Sequence, residues 1–240
     1  MIVEGNILKL KSSLQETVQY QLPIGEKLVD LNQFIGKKIK IDFKDQINCI
    51  HTGEKIKKSY NQGFSYRSFL KLASCDICIV KPELCHYSKG TCREPKWGEE
   101  NCFRPHIVYL ANTSSLKIGI TRESQVPTRW IDQGAIEALP LVRVANRHTS
   151  GLLEVELKKE INDKTNWRKM LSGNSEEIDL YEKREEIFDL FADVFDDLDA
   201  EDIDAEVVTI NYPVLEYPDK IKSISFDKQK NVEGKLIGIK

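Results

Sequence analysis

Five of the chain's six cysteines, Cys75, Cys78, Cys85, Cys92 and Cys102, fall within 28 consecutive positions of a segment that has no apolar periodicity. Pro82, Gly90, Pro95 and Gly98 interrupt it too often for a long helix, so it lacks both the stripe and the alternation with which a chain buries a core. Something other than apolar burial has to order it. In a reducing compartment, clustered thiols are metal ligands more often than disulfides. Zinc takes four soft or borderline donors in a tetrahedron, and the knuckle Cys75-Asp76-Ile77-Cys78 sets two thiolates in one turn. Cys85, Cys92, Cys102 and His106 follow at loop-compatible spacing, with His86 adjacent, so either some donors are spare or two ions bind. The candidate ligands are therefore Cys75, Cys78, Cys85, Cys92, Cys102 and His106, and the expected cofactor is structural zinc. Buried free thiols are the plainer alternative, but those gather in apolar, periodic segments. A nucleophilic thiolate needs a general base and an oxyanion cradle, and no one thiol is singled out for either.

A second frame lies just upstream. Cys49, Thr52, Ser65 and Ser68 have the x2, x12, x2 spacing of a zinc ribbon, with hydroxyls at three of the ligand positions. Hydroxyls bind zinc poorly, so the expectation is a degenerate ribbon without its metal. His51-Thr52-Gly53-Glu54-Lys55 copies the linker between tandem zinc fingers, yet Cys49 stands too close before it for a finger to fit.

Charge is distributed unevenly. Positions 174–206 carry fifteen acidic side chains against Lys183 and Arg184, while the whole chain has a formal charge of −3. The remainder is basic, which permits a polyanionic partner without demanding one. No stretch approaches the roughly 18 consecutive apolar residues of a membrane span, and Met1 to Leu10 lacks the apolar run of a signal peptide. A cytoplasmic protein with no membrane partner is expected.

The pattern predicts an α+β fold in five parts. Positions 1–48 form a small β unit, with alternation at Ile7–Leu10, Val18–Leu22 and Lys38–Phe43. Positions 49–105 hold the degenerate ribbon and the cysteine segment. Positions 106–173 alternate as ββαβα: strands Ile107–Ala111 and Leu116–Ile120, a helix near Thr128–Asp132 capped by Thr128, strand Leu139–Ala145, and helix Gly151–Ile161. Positions 174–206 form an acidic amphipathic helix from Ser175, whose Leu180, Ile187, Phe191 and Phe195 recur at helical spacing. In 207–240, Val207–Ile210, Ile221–Phe226 and Leu236–Ile239 read as strands packing on the N-terminal unit. The chain stops inside its last apolar run, so that run either pairs back with the first strands or precedes a lost segment.

Ile107-Val108-Tyr109, Lys117-Ile118-Gly119, Arg129 on the following helix and Glu154 on a later one resemble, in order and spacing, the core of GIY-YIG nucleases over about residues 106–162. The resemblance implies that Tyr109, Arg129 and Glu154 are the catalytic positions, surrounding a scissile phosphate with the glutamate carrying magnesium. Arginine neutralises developing phosphoryl charge, and one carboxylate with water can hold magnesium. Ile107 replaces the first motif's glycine, and Lys117 stands where the second motif's tyrosine would be. Lysine contacts phosphate but does not relay a proton at neutral pH unless its pKa is strongly lowered. A phosphate-binding core without cleavage is therefore the expectation, and a magnesium-dependent endonuclease the alternative. Read as plain structure, Tyr109 is a packed strand residue, Arg129 a surface cation and Glu154 a helical partner of Lys158.

A wider resemblance covers most of the chain. Lys81–His86, Gly90–Arg93, Lys117–Arg122, Pro127–Ala135, Ser150-Gly151 and Asp163–Leu171 are similar to an uncharacterised prokaryotic family, a domain of unknown function. Members carry cysteines throughout the ribbon frame and extend past the point where this chain ends.

The expected function is a zinc-stabilised protein whose GIY-YIG-like core binds a nucleic-acid phosphate backbone through Lys117, Arg122, Arg143, Arg147 and His148. The alternative is a non-catalytic interaction module in which zinc staples the fold and the acidic helix docks on a protein partner. A third reading is a small-molecule site at Val126–Ala135, where Arg129, Trp130, Asp132 and Gln133 meet at one helix.

Overall fold

The computed structural model describes residues 1–161 and 165–240, which divide into two compact units: 1–71 with 211–240, and 72–210. Asp163 and Lys164, at the start of the 163–171 stretch, lie outside the described residues. The fold is mixed α+β.

The first unit opens with an antiparallel sheet of β1 (Lys11–Ser13), β2 (Gln19–Ile24) and β3 (Lys27–Asp30), in that order. Gly25 takes a left-handed φ of 58° in the two-residue turn between β2 and β3, a conformation that glycine adopts without penalty. Val18, Tyr20, Pro23 and Val29 are buried there. The strand expected at Ile7–Leu10 is reduced to one bridge, Ile7 to Ile24, since both Ile7 and Leu8 remain exposed. β4 (Lys38–Asp42), the short pair β5 (Ile47–Asn48) and β6 (Lys55–Ile56), and helix α1 (Tyr66–Lys71) follow.

In the second unit, single turns of 3₁₀ helix lead to α2 (Pro95–Asn101). There follow β7 (His106–Asn112), β8 (Leu116–Arg122), α3 (Thr128–Asp132), β9 (Glu137–Val144), α4 (Arg147–Leu157), α5 (Trp167–Leu171), α6 (Leu180–Asp197), β10 (Glu201–Asp202) and β11 (Val208–Thr209). These strands form one antiparallel sheet in the order β10-β9-β7-β8, with β11 also paired to β9. Every residue of β7 is buried, as befits a central strand covered on both faces. The β7–β9 ladder shifts register between Val108 and Tyr109, opposite Pro140. Proline lacks the N–H that a regular ladder requires, and it sits at this irregularity.

Alternation along β7 sends Val108 and Leu110 to one face, where they pack with Ile118, with Leu153 and Leu157 of α4, and with Leu180, Ile187, Phe191 and Phe195 of α6. Ile107, Tyr109 and Ala111 face the other way. α6 starts later than Ser175: Asp179 caps it, accepting from the Tyr181 and Glu182 backbone N–H at 2.9 and 3.1 Å. Carboxylate capping of orphan N–H groups outweighs the glutamates upstream. Thr128 is not the cap of α3 but its first residue, with Pro127 before it and no side-chain cap.

The chain then returns to the first unit, where β12 (Asn231–Lys235) pairs antiparallel with β4, from Asn231 opposite Asp42 to Lys235 opposite Lys38. The alternating stretch Ile221–Phe226 is not a strand; Ile224 and Phe226 are exposed, so its alternation has no face to bury. Positions 236–239 contribute a single bridge, Gly238 to Val214.

Candidate metal centre and sheet-face pocket

Within 72–105 the buried residues are Ala73, Cys75, Asp76, Pro82 and Gly98, all small or polar. At about 25 cal/mol per Å² of apolar area, so little burial cannot offset the entropy of fixing 34 positions. The segment instead folds around a small cavity of about 20 Å³, the size of one ion or water. Cys78, Cys85, Cys92 and Cys102 line it, with Asp76, His86, Tyr87 and Trp97. No disulfide joins them. Burial pushes the Cys78 thiol up to about 11, and the neighbouring Asp76, Cys85, Cys102 and Cys92 add to that rise. Four thiols are thus close enough to feel one another's charge.

Asp76, Cys78 and His86 place one donor atom each within 4.8 Å of one another and could hold a metal ion. The Asp76 carboxylate is already engaged. It accepts from Arg93 Nε at 2.7 Å and from Ile77 N at 2.6 Å, and His86 Nε2 lies 3.4 Å away. His86 Nδ1 meets Thr91 Oγ1 at 2.8 Å. Cys75 is buried in the turn 73–75 and does not line the cavity. His106 does not line it either: it is fully buried on β7, with Nδ1 2.7 Å from the Arg104 carbonyl and Nε2 unpartnered. Burial, reinforced by Arg147 and Arg122, holds its imidazole down to about 4, so it is neutral.

Gly151 attaches this segment to the core. A Cβ there would stand 2.6 Å from Pro82 Cβ and 2.7 Å from Glu83 N, so only glycine lets the turn 82–84 lie on α4. α4 itself starts from Asn146, whose side chain accepts from Thr149 N at 3.0 Å.

On the opposite side of the sheet from α6, Tyr109 is wholly buried with its ring 5.8 Å from that of Trp130. Its cross-strand partner is Gly119, and a Cβ at 119 would meet the tyrosine ring and hydroxyl at 2.6 Å. The ring thus lies over a gap that the glycine leaves. Gln133 links the phenol to Arg129. Its amide NH₂ donates to Tyr109 Oη at 2.7 Å, and its oxygen accepts from Arg129 Nε and Nη2, both at 3.1 Å. Burial raises the Tyr109 pKa well above the ordinary phenol value, with Arg129 opposing and Glu154 adding to the rise. The phenol is therefore neutral and anchors the arginine rather than titrating.

Lys117 points to the same face as Tyr109, since it pairs with Ala111 two places along the ladder, and it is 6% exposed. Arg129 is exposed. Glu154 pairs with Lys158 at 3.2 Å on α4. Arg129 and Glu154 each lie near enough to Tyr109 to bear on its ionisation. The remaining cations are placed elsewhere. Arg143 lies 3.3 Å from Glu123 and 3.2 Å from Glu201. Arg122 donates to Asn101 Oδ1 at 2.9 Å, and Arg147 donates to the Ile79 carbonyl at 2.5 Å. His148 is exposed in the first turn of α4. Gly119 and Gly151 are visible in the sequence only as members of resembling motifs, because a glycine does not reveal what approaches it; Gln133 is visible there only as part of a pocket wall.

The ribbon frame also converges, in the first unit. Cys49 Sγ accepts from Ser65 N at 3.2 Å and lies 3.6 Å from Ser68 Oγ, while Ser65 Oγ donates to Ser68 Oγ at 3.1 Å. Hydrogen bonds hold together the positions at which a ribbon carries metal ligands.

Comparison with curated proteins and with solved structures finds no match. A family model described as protein of unknown function (DUF2797) matches residues 36–240, which include the whole cysteine cavity and the Tyr109, Gln133 and Arg129 positions, and the chain belongs to that family.

Proposed function

We propose that this chain is a zinc-stapled protein that binds the phosphate backbone of a nucleic acid, with Arg129 as the leading contact. The observation that carries this reading is the fixed guanidinium: Gln133 accepts from both Nε and Nη2 of Arg129 and rests on the buried Tyr109 hydroxyl. An exposed arginine already held in one orientation loses little entropy on gripping an anion, and its remaining N–H groups suit phosphate oxygens. Lys117, buried on the same face, adds positive charge beneath the site without being a surface contact, and His148 is an accessible candidate. Arg122, Arg143 and Arg147 have protein partners and lie outside this contact set.

Binding without cleavage fits this arrangement better than hydrolysis. Tyr109 is buried and neutral, and Glu154 would have to leave Lys158 before it could recruit magnesium. Thiol donors around a one-ion cavity favour zinc over a harder ion.

The test is fluorescence anisotropy of labelled single- and double-stranded DNA and RNA across a salt series. Affinity should fall linearly on a log–log plot against salt, and Arg129→Gln should weaken it about 10-fold while reducing the slope by roughly 1. Absent or salt-independent binding overturns the reading. A magnesium-dependent cleavage that is lost in Glu154→Ala would replace it with the nuclease. Leu190 of α6, 62% exposed among carboxylates, is the observation favouring a protein partner on the acidic helix; capture that is lost on neutralising Asp193, Asp196 and Asp197 would support it.

A further inference from the structure

Arg122 and Arg147 both lie close enough to His106 to hold its imidazole neutral, Arg122 also disfavours the charge of Arg147, and neither arginine meets a carboxylate among the described residues. Two neighbouring, half-buried cations without a counter-ion are costly. Their hydrogen bonds lead to the cysteine segment. Arg147 Nη2 donates to the carbonyl of Ile79, the residue after Cys78, and Arg147 N donates to the carbonyl of Cys102 at 2.9 Å. Arg122 Nη1 donates to Asn101, the residue before Cys102. Both arginines therefore brace the two ends of the cysteine cavity, and Arg147 Nε is buried and unpartnered.

We propose that a thiophilic divalent ion is held by the four thiolates of Cys78, Cys85, Cys92 and Cys102, and that Arg122 and Arg147 are its charge-compensating, positioning residues. Four thiolates and a divalent ion sum to −2, and the two guanidiniums return the site to neutrality. Each ligand thiol gives its proton to solvent as the metal–sulfur bond forms. Among the described residues only Asp76, Cys78 and His86 already bring donor atoms within 4.8 Å of one another, so the four sulfurs close onto the ion as it binds, while Asp76 stays with Arg93 at 2.7 Å and His86 with Thr91 at 2.8 Å. This rests on the metal half of the reading above and is independent of its nucleic-acid half.

The experiment uses the full chain, loaded with cobalt(II) as the probe. Thiolate-to-cobalt charge-transfer absorption reports the number of sulfur ligands, and competition with a chelator gives the affinity. Absorption characteristic of four thiolates is expected, reduced by serine at any of the four cysteines and unchanged by Asp76→Asn or His86→Gln. Arg147→Gln and Arg122→Gln should each weaken metal affinity about 10- to 100-fold. Arg147→Lys, which keeps the charge, should recover most of that loss, a rescue that a merely structural role does not predict. Circular dichroism confirms that each variant is folded. A one-thiolate spectrum abolished by His86→Gln moves the ion to the Asp76–Cys78–His86 set and overturns the proposal. Arginine variants with unaltered affinity overturn the compensating role. A chain that binds no cobalt or zinc overturns the metal half of the reading itself, leaving the Arg129 binding test unaffected.

Discussion

Two single residues carry more of this architecture than their chemistry advertises. Gly119 leaves the gap that the Tyr109 ring fills, and any Cβ there would press on the ring and hydroxyl at 2.6 Å. Gly119→Ala should cost roughly 1–3 kcal/mol in urea denaturation and weaken nucleic-acid binding, because the ring must shift and take Gln133 and Arg129 with it. His106 is neutral in the folded state, its pKa lowered to about 4 by burial and then by Arg147 and Arg122. The unfolded chain protonates this imidazole below its ordinary value near 6.5, whereas the folded chain resists until about 4. Stability from this group is complete above that ordinary value and is lost as pH falls from there towards 4, by about 3 kcal/mol in all. Denaturation midpoints at neutral pH and at about pH 5 should therefore separate further for the wild type than for His106→Gln. Sequence shows neither role, since a glycine and a histidine on a strand look alike whether or not a ring or two arginines lie beside them.

Among the elements, α4 matters most, because it joins the sheet to the cysteine segment. Leu153 and Leu157 face the core, and Gly151 receives the turn 82–84. The atoms that a Cβ at 151 would strike include backbone at 82 and 83, which cannot swing aside as a side chain can. Gly151→Ala should lift the segment away, raising amide hydrogen exchange over 77–85 while β7 to β9 stay protected. α6 covers the other face of the sheet from the Tyr109 pocket, so its seven carboxylates, from Glu182 to Asp197, do not crowd Arg129. The helix and the ββαβα order of 106–157 were legible because their apolar period is long and regular, and the strands and helices formed within a few residues of the expected limits. The start of α6 was misread, since an acidic run offers several caps and only the backbone decides which carboxylate reaches two N–H groups.

For the molecule as a whole, the two units differ in what holds them. The second has an extended apolar core beside a segment with almost none, so metal removal should act unevenly. After chelation, residues 72–105 should lose exchange protection and the chain's Tm should fall, while the five-stranded sheet keeps its protection; equal loss everywhere would show that the centre staples the entire unit. The first unit is closed across the chain's full length by β4 and β12. Sequence alone determined the α+β class, the central strands, the amphipathic acidic helix and the crowding of thiols between 75 and 102, because these follow from local period and composition. Tertiary structure alone decided which thiols share a cavity and that Cys75 and His106 stand apart from it. It also decided that Arg122, Arg143 and Arg147 are engaged by protein groups while Arg129 remains presented to solvent. The reason is physical: a side chain's chemistry is written at its own position, whereas its charge, partners and access are set by residues brought near it from elsewhere in the chain.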